Sequence, residues 1–156
     1  MVSSKQALER YGDPGGSNEG KYMTIWVVPA DIRSALKHVR FSAMGSIGFP
    51  EKIYINKDFQ PLLEKGLRNV ISRGLAAELK TWDGVYIIRK KRLNNSPSMH
   101  SWGIAFDCNA FENLQGNKPK LSTAFAQCFI DAGMDWGGLW AGKSVDGMHF
   151  QISSLP

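Results

Sequence analysis

A short β-rich segment, residues 103–107, most constrains the fold of this chain. In an extended strand, successive side chains point to opposite faces. Ile104 and Phe106 would therefore lie on one face, and Asp107 would lie on the other. This alternation is typical of a strand in a sheet with one buried face. It predicts a sheet whose apolar face covers a core and whose other face carries a carboxylate.

The segment at residues 148–151 repeats this pattern. Met148 and Phe150 would enter the core, and His149 would point away from it. His149 would then lie on the side of the sheet that can carry Asp107. Two strands with the same alternation predict one shared sheet with a polar, chemically active face.

Strand and helix patterns alternate along the rest of the chain. Apolar residues between 62 and 71 recur at helical spacing, with Asp58 as a candidate N-cap and Gly74 as a candidate stop. The dipeptide Asp83-Gly84 between two β-rich runs predicts a two-residue hairpin turn. Further strands are predicted at residues 22–28, 53–55 and 85–88, and further helices at residues 31–39 and 122–133. The mixed order predicts an α+β fold with a mostly antiparallel central sheet and flanking helices.

The chain has the length of one domain. It contains 156 residues, and its 43% hydrophobic content is sufficient for a buried core. Residues 12–20 are rich in turn formers, so residues 1–20 are predicted to form an N-terminal arm. Residues 21–156 are then the single folded domain that carries the functional residues.

Charge and composition bear on the partners of the protein. The net charge of +5 suits any polyanion, including the anionic envelope of a bacterium. The basic cluster at residues 89–92 has no aromatic interleaving beyond Tyr86, so nucleic-acid binding is not expected.

Because there is neither a membrane-length apolar run nor a signal-peptide pattern, we expect cytosolic synthesis and no membrane anchor. Cys108 and Cys128 predict free thiols that pack as small hydrophobes.

Two of the three histidines lie at a sequence spacing from a carboxylate that would allow both side chains to bind one metal ion. His38 lies in a predicted helix and is expected to be structural and partly buried. His100 precedes the strand of Asp107, where it can lie over the open face of that strand. Asp146 stands three residues before His149, where the chain turns into its strand. Histidine counts alone favour structural roles, whereas the added carboxylates favour a metal site.

These side chains match those of a catalytic zinc site. Such a site has two imidazoles and one carboxylate as ligands, and a second carboxylate that does not bind the metal. Catalytic zinc takes three protein ligands and leaves a fourth position to water. We therefore expect one Zn²⁺ per chain, held by His100, Asp107 and His149. A carboxylate outside the ligand set takes the proton of the water and passes it to the leaving amine. Asp146 is the candidate for that role.

These residues also form a spaced motif, SxHxxGxAxD ending at Asp107 and DxxH ending at His149. The motif resembles the signature of the D-Ala-D-Ala carboxypeptidase and VanY-like zinc metallopeptidases, a family that includes small phage L-alanyl-D-glutamate endolysins. The run WDG at residues 82–84, with the basic residues 89–92, resembles the segment that precedes the motif in phage members. The run DWGG at residues 135–138 with Trp140, followed by DGMHF at residues 146–150, resembles their C-terminal active-site loop.

The resemblance extends over about residues 53–151 and implies a role for each matching residue. The implied zinc ligands and base are those given above, and the implied fold is shared with the hedgehog signalling domain. Ser98 matches a serine that helps to orient substrate. An upstream arginine in the family binds a substrate carboxylate or polarises the carbonyl oxygen, and both Arg89 and Arg92 lie in the right stretch.

Three further side chains have two interpretations each. Gln151 stands where many members have glutamate, and it either hydrogen-bonds a metal ligand or packs as a structural residue. Trp136 and Trp140 either form a wall of the cleft together, or one of them fills the core.

The resemblance implies a zinc-dependent peptidase that cuts a bond in the peptidoglycan stem peptide. The type expected is a phage or prophage endolysin, an L-Ala-D-Glu endopeptidase. We expect a monomer that is made in the host cytoplasm and acts on the cell wall in the periplasm after release. Two alternatives stay open: a D-Ala-D-Ala carboxypeptidase, and a non-hydrolytic, zinc-stabilised wall-binding or structural module.

Overall fold

A computed structural model describes residues 1–156. The helices are α1 Ser4–Tyr11, α2 Glu19–Tyr22, α3 Ala30–Ala35, α4 Gln60–Ser72 and α5 Thr123–Ile130. The strands are β1 Met23–Val27, β2 Arg40–Phe41, β3 Lys52–Asn56, β4 Thr81–Gly84, β5 Ala105–Cys108, β6 Met134–Trp136 and β7 His149–Ile152. Short 3₁₀ turns occur at Ala76–Glu78, Met99–Trp102, Ala110–Glu112, Gly137–Leu139 and Gly142–Ser144. This order of elements confirms the predicted α+β class.

The strands form a five-stranded sheet and a separate two-stranded ribbon. The sheet has the order β2-β4-β5-β7-β6. Only β2 and β4 run parallel, and the other neighbouring pairs are antiparallel. In the ribbon, β1 pairs with β3 in antiparallel fashion. The sheet is mostly antiparallel, as predicted, and it places β5 beside β7.

Aromatic rings fill the core on the inner face of β5 and β7. Phe106 and Phe150 are register partners, and their rings stack with 5.1 Å between centroids. Trp82 of β4 stacks on Phe106 with centroids 5.0 Å apart. Phe129 of α5 lies 4.9 Å from both phenylalanine rings. All four side chains are buried, so the predicted inward faces of both strands are confirmed.

Helix α4 lies close to α5 because Gly66 leaves room for Phe129. A Cβ atom at position 66 would lie 2.3 Å from Cδ1 of Phe129. The ring cannot easily move, since Phe125 and Phe150 pack against it. We expect Gly66→Ala to cost about 3 kcal/mol in overpacking, which outweighs the gain of about 1 kcal/mol in helix propensity. Urea unfolding should therefore show a net loss of about 2 kcal/mol.

Gly20→Ala in α2 is the matched control for this prediction. Nothing lies within 4 Å of a Cβ atom placed there, so the change should be neutral or stabilising. A Gly66→Ala protein as stable as the wild type would contradict the close packing of the two helices.

The hairpin turn predicted at Asp83-Gly84 is wrong. Both residues lie inside β4, which pairs with β5 through a register shift next to Gly84. Gly84 has a φ of +106°, a conformation that this bulge requires and that residues with a Cβ atom rarely adopt. The predicted strand at residues 85–88 does not form. Its first carbonyl, that of Val85, instead contacts a histidine ring.

Asp58 does not cap α4, which begins at Gln60. Its carboxylate instead accepts hydrogen bonds from Nε of Arg10 at 2.9 Å and from the hydroxyl of Tyr11 at 2.7 Å. Both donors belong to α1, a helix that the sequence pattern did not predict within the arm at residues 1–20. The buried face of α1 joins the main hydrophobic core, so this segment packs on the rest of the fold.

Two expectations from composition can be compared with the structure. Cys108 and Cys128 are both free and buried, as predicted. None of the helices combines the length and the apolar character that a membrane crossing requires.

Candidate metal centre

Three side chains predicted as zinc ligands meet at one point on the sheet. Asp107 on β5 and His149 on β7 are register partners in adjacent antiparallel strands. His100 comes from the 3₁₀ turn that precedes β5. One ligand atom from each residue lies within 4.8 Å of the other two. The alternation of the two strands thus places a carboxylate and an imidazole side by side, and the turn adds the second imidazole.

Hydrogen bonding determines which nitrogen of His100 faces the carboxylate. Nδ1 lies 2.7 Å from the backbone carbonyl of Val85, which can only accept, so Nδ1 carries the proton. Nε2 is the nitrogen on the side of the carboxylate, and it is buried without a hydrogen-bond partner. It lies 3.2 Å from Oδ1 of Asp107, but not in hydrogen-bonding geometry.

The ring of His149 is turned the other way, so that its Nδ1, rather than its Nε2, faces Asp107. Its Nε2 lies 2.8 Å from Oε1 of Gln151, and this amide oxygen accepts the ring proton. Its Nδ1 then faces Oδ1 of Asp107 at 3.2 Å. Gln151 is buried on the same strand, so the interpretation in which it hydrogen-bonds a ligand fits the geometry.

These three donor atoms fit a metal ion. With their other nitrogens engaged, the two imidazoles each direct one ring nitrogen at the same carboxylate oxygen, an arrangement that suits a metal ion between them. Nitrogen and oxygen donors of this kind suit zinc. Burial opposes the charge of Asp107, but the two imidazoles outweigh it and hold the pKa of this carboxyl well below its usual range. Burial likewise opposes the charge of His149, yet Asp107 raises the pKa of its ring.

Gln151 should affect metal affinity without being a ligand. Gln151→Leu removes the acceptor that orients His149, and loss of such a partner typically weakens metal binding about 10–100-fold. Gln151→Glu keeps an acceptor at that place and should keep most of the affinity. Competition with a fluorescent zinc chelator measures both variants. Wild-type affinity in Gln151→Leu would contradict the positioning role.

Asp146 lies beside the metal centre at the floor of the cleft. One of its carboxylate oxygens, Oδ1, is buried without a hydrogen-bond partner. Burial raises the pKa of Asp146, Asp107 adds to the rise, and His149 and Arg92 act against it. Gly137 allows this position, since a Cβ atom there would lie 2.4 Å from the Asp146 carbonyl oxygen. The site therefore holds a spare carboxylate close to, but separate from, the three donors.

A cleft of about 390 Å³ opens over the centre. Asp107, His149 and Asp146 reach it, whereas His100 is buried behind them. The cleft is also lined by the predicted substrate-binding residues. They are Ser98 and both candidate arginines, Arg89 and Arg92, together with Trp140, a candidate for the cleft wall. Ser98 has a second task, because its hydroxyl accepts the backbone N–H of His100 and caps the turn.

The structure separates the two tryptophans of the C-terminal loop. Trp136 is buried, donates its indole N–H to the carbonyl of Gly147 at 2.9 Å, and stacks with the core ring of Phe150. Trp140 is half-buried in the wall of the cleft, with its ring 5.4 Å from that of His149.

Some residues of the cleft have no individual role predicted from the sequence. Lys91 lines it beside the two arginines, and the side chains of Met1 and Val2 form part of another wall. The third histidine, His38, is exposed rather than partly buried, and its ring contacts the carbonyl of Ala76.

Residues 92–152 match a protein-family model described as D-alanyl-D-alanine carboxypeptidase. The match supports the family that the motifs resemble. The matched segment contains all three donors of the metal centre and Asp146, while Arg89 lies just before it. No curated protein and no solved structure gives a significant match to the chain.

The match of residues 92–152 to this family model agrees with the chemistry of the site. Peptidases of the family are typically metal-dependent, and the buried His-Asp-His group can hold an ion. The family match and the geometry together support a metal-dependent peptidase that acts on peptidoglycan.

Proposed function

We propose that the chain is a zinc-dependent endopeptidase of the phage endolysin type that hydrolyses the L-Ala-D-Glu bond of the peptidoglycan stem peptide. One observation carries the proposal: the donor atoms of His100, Asp107 and His149 converge beside the unpaired carboxylate of Asp146. The endolysin type is supported by the segments that resemble phage members. Two of them contribute Arg92 and Trp140 to the walls of the same cleft.

His100, Asp107 and His149 would hold the zinc ion. Zinc in such a ligand set supplies Lewis-acid activation of water and of the scissile carbonyl. The carboxylate of Asp146 accepts a proton from the attacking water and then donates it to the leaving nitrogen. Water thus adds across the peptide bond, leaving a new carboxyl group on one product and a new amino group on the other. The raised pKa of Asp146 suits a group that must hold this proton between the two steps.

The walls of the cleft bind and orient the peptide. Arg92 lines the same cleft as Asp146, and its charge acts to lower the pKa of that carboxyl. A planar guanidinium suits a carboxylate or a polarised carbonyl oxygen. Trp140 provides an apolar surface next to His149, which excludes water from one side of the centre.

A D-Ala-D-Ala carboxypeptidase is the second candidate, and the description of the matched family model favours it. It would use the same metal centre and the same base. The two enzymes differ in the bond that is cut, so their products separate them.

The test measures the release of amino groups from purified Gram-negative peptidoglycan. Zinc-loaded wild type, chelator-treated wild type and Asp146→Ala are compared, and the products are identified by mass. We expect only the zinc-loaded wild type to release peptides with new L-Ala carboxyl termini and D-Glu amino termini. Release of free D-Ala would instead establish the carboxypeptidase.

The same experiment can reject both peptidases. If the wild type binds zinc and the wall but releases no amine, the chain is a zinc-stabilised wall-binding module. In that case Asp146→Ala should bind the wall as well as the wild type does.

A further inference from the structure

The cleft holds three cationic side chains without acidic partners. Arg89, Lys91 and Arg92 all line it, and none of them forms an ion pair. The acidic groups in the cleft are Asp107 and Asp146, and a divalent ion at the metal centre would offset both charges. The cleft is therefore strongly positive when the metal is bound, which favours an anionic ligand.

A hairpin-like segment determines which of its cations face the cleft. The N–H of Lys91 donates to the carbonyl of Ser96, and the N–H of Ser98 donates to that of Arg89, both at 2.8 Å. Side chains alternate across such a segment. Arg89 and Lys91 are accordingly half-buried at the cleft, while Lys90 is exposed and does not line it. Arg92 is exposed in the turn that follows, where this alternation no longer applies, and it also lines the cleft.

Lys91 is a cation of the cleft whose side chain has no partner within the protein. The charge of Arg92 acts to lower the pKa of Asp146, and the guanidinium of Arg89 contacts the backbone carbonyl of Lys90 at 3.4 Å. The ammonium group of Lys91 has no hydrogen bond to another residue and no ion pair. Burial lowers the pKa of Lys91, because the charged form loses water without gaining a partner. Partial burial of an unpaired charge costs free energy, which a bound anion can offset.

We propose that Lys91 binds a carboxylate of the substrate, so that the cleft selects peptides with at least two free carboxylates. One carboxylate would pair with an arginine, and the second would pair with Lys91 on the neighbouring wall. The inference rests on the proposed function, because it assigns the substrate class of the same cleft. Peptides in which the second carboxylate is amidated are then poor ligands.

Binding and cleavage are measured separately to test this inference. The probe is the peptide L-Ala-γ-D-Glu-diaminopimelate with the distal carboxyl of diaminopimelate amidated throughout, so that two carboxylates are free. It is compared with one form also amidated at the glutamate carboxylate and another also amidated at the remaining diaminopimelate carboxyl. Titration calorimetry uses zinc-loaded protein carrying Asp146→Asn, in which the peptide is not consumed. Lys91→Gln and the matched control Lys90→Gln are each added to this background. Both remove one positive charge from the same segment, but only Lys91 lines the cleft.

We expect Lys91→Gln to weaken binding of the free peptide about tenfold, the effect of losing one charge-assisted hydrogen bond. It should also abolish the discrimination against one of the two amidated peptides. Lys90→Gln should change neither property. If Lys91→Gln still discriminates fully against both amidated peptides, or if Lys90→Gln has the same effect, the proposal is overturned.

The proposed function has a separate readout, namely cleavage of the free peptide by the wild type. Absence of cleavage together with Lys91-dependent binding would reject the peptidase and retain the carboxylate site. Cleavage without any effect of Lys91→Gln would reject only the carboxylate site.

Discussion

Replacing Asp146 with asparagine should lower kcat for stem-peptide hydrolysis by about 100–10,000-fold. Asparagine has nearly the same shape, but its amide cannot take up the proton of the attacking water. The zinc content should not change, because Asp146 is not one of the three converging donors. Initial rates of peptide cleavage and metal analysis of the purified protein measure the two effects separately.

Two further variants act as controls for Asp146. Asp146→Glu keeps a carboxylate at the site and should retain much more activity than the asparagine variant. Asp131→Asn removes a surface carboxylate that pairs with Arg73 at 2.8 Å, and it should leave kcat unchanged. An Asp146→Asn protein with full zinc content and wild-type kcat would eliminate Asp146 as the base.

Replacing Phe106 with alanine should lower the free energy of unfolding by about 3–5 kcal/mol. The ring is fully buried at the centre of the aromatic core. It stacks on Trp82 and Phe150 and contacts Phe129, with centroids about 5 Å apart in each pair. Its loss leaves a cavity between three large rings that cannot all move to fill it. Chemical denaturation followed by tryptophan fluorescence measures the change.

Phe111→Ala is the matched control for the core prediction. Phe111 is 79% exposed, so its truncation should change stability by no more than about 0.5 kcal/mol. The Phe106 variant should also bind zinc more weakly, because Asp107 is its neighbour on β5. A loss below 1 kcal/mol in Phe106→Ala would show that this ring is not central to the core.

Some errors of the sequence interpretation share one cause. The Asp83-Gly84 pair predicts a hairpin from two residues, yet the bulge against β5 decides its conformation. Asp58 has the chemistry of a helix cap, yet Arg10 and Tyr11 from a distant helix bind it. In each case, a long-range contact outweighs a local preference worth about 1 kcal/mol.

The sequence by itself determined the two strands of the site and the identity of the side chains that meet there. Alternation in a strand is a local property, so the inward faces of β5 and β7 and the outward positions of Asp107 and His149 follow from residue order. The spacing of the motif likewise indicates the family, since it depends only on positions along the chain.

Only the tertiary structure decided how these side chains are oriented and what surrounds them. The nitrogen that each histidine directs at Asp107 depends on acceptors supplied by Val85 and Gln151. The orientation of Lys91 into the cleft depends on a hairpin-like segment whose pairing no local pattern predicts. Hydrogen bonds and burial of this kind arise when separate segments of the chain meet, so the packing of the folded chain determines them.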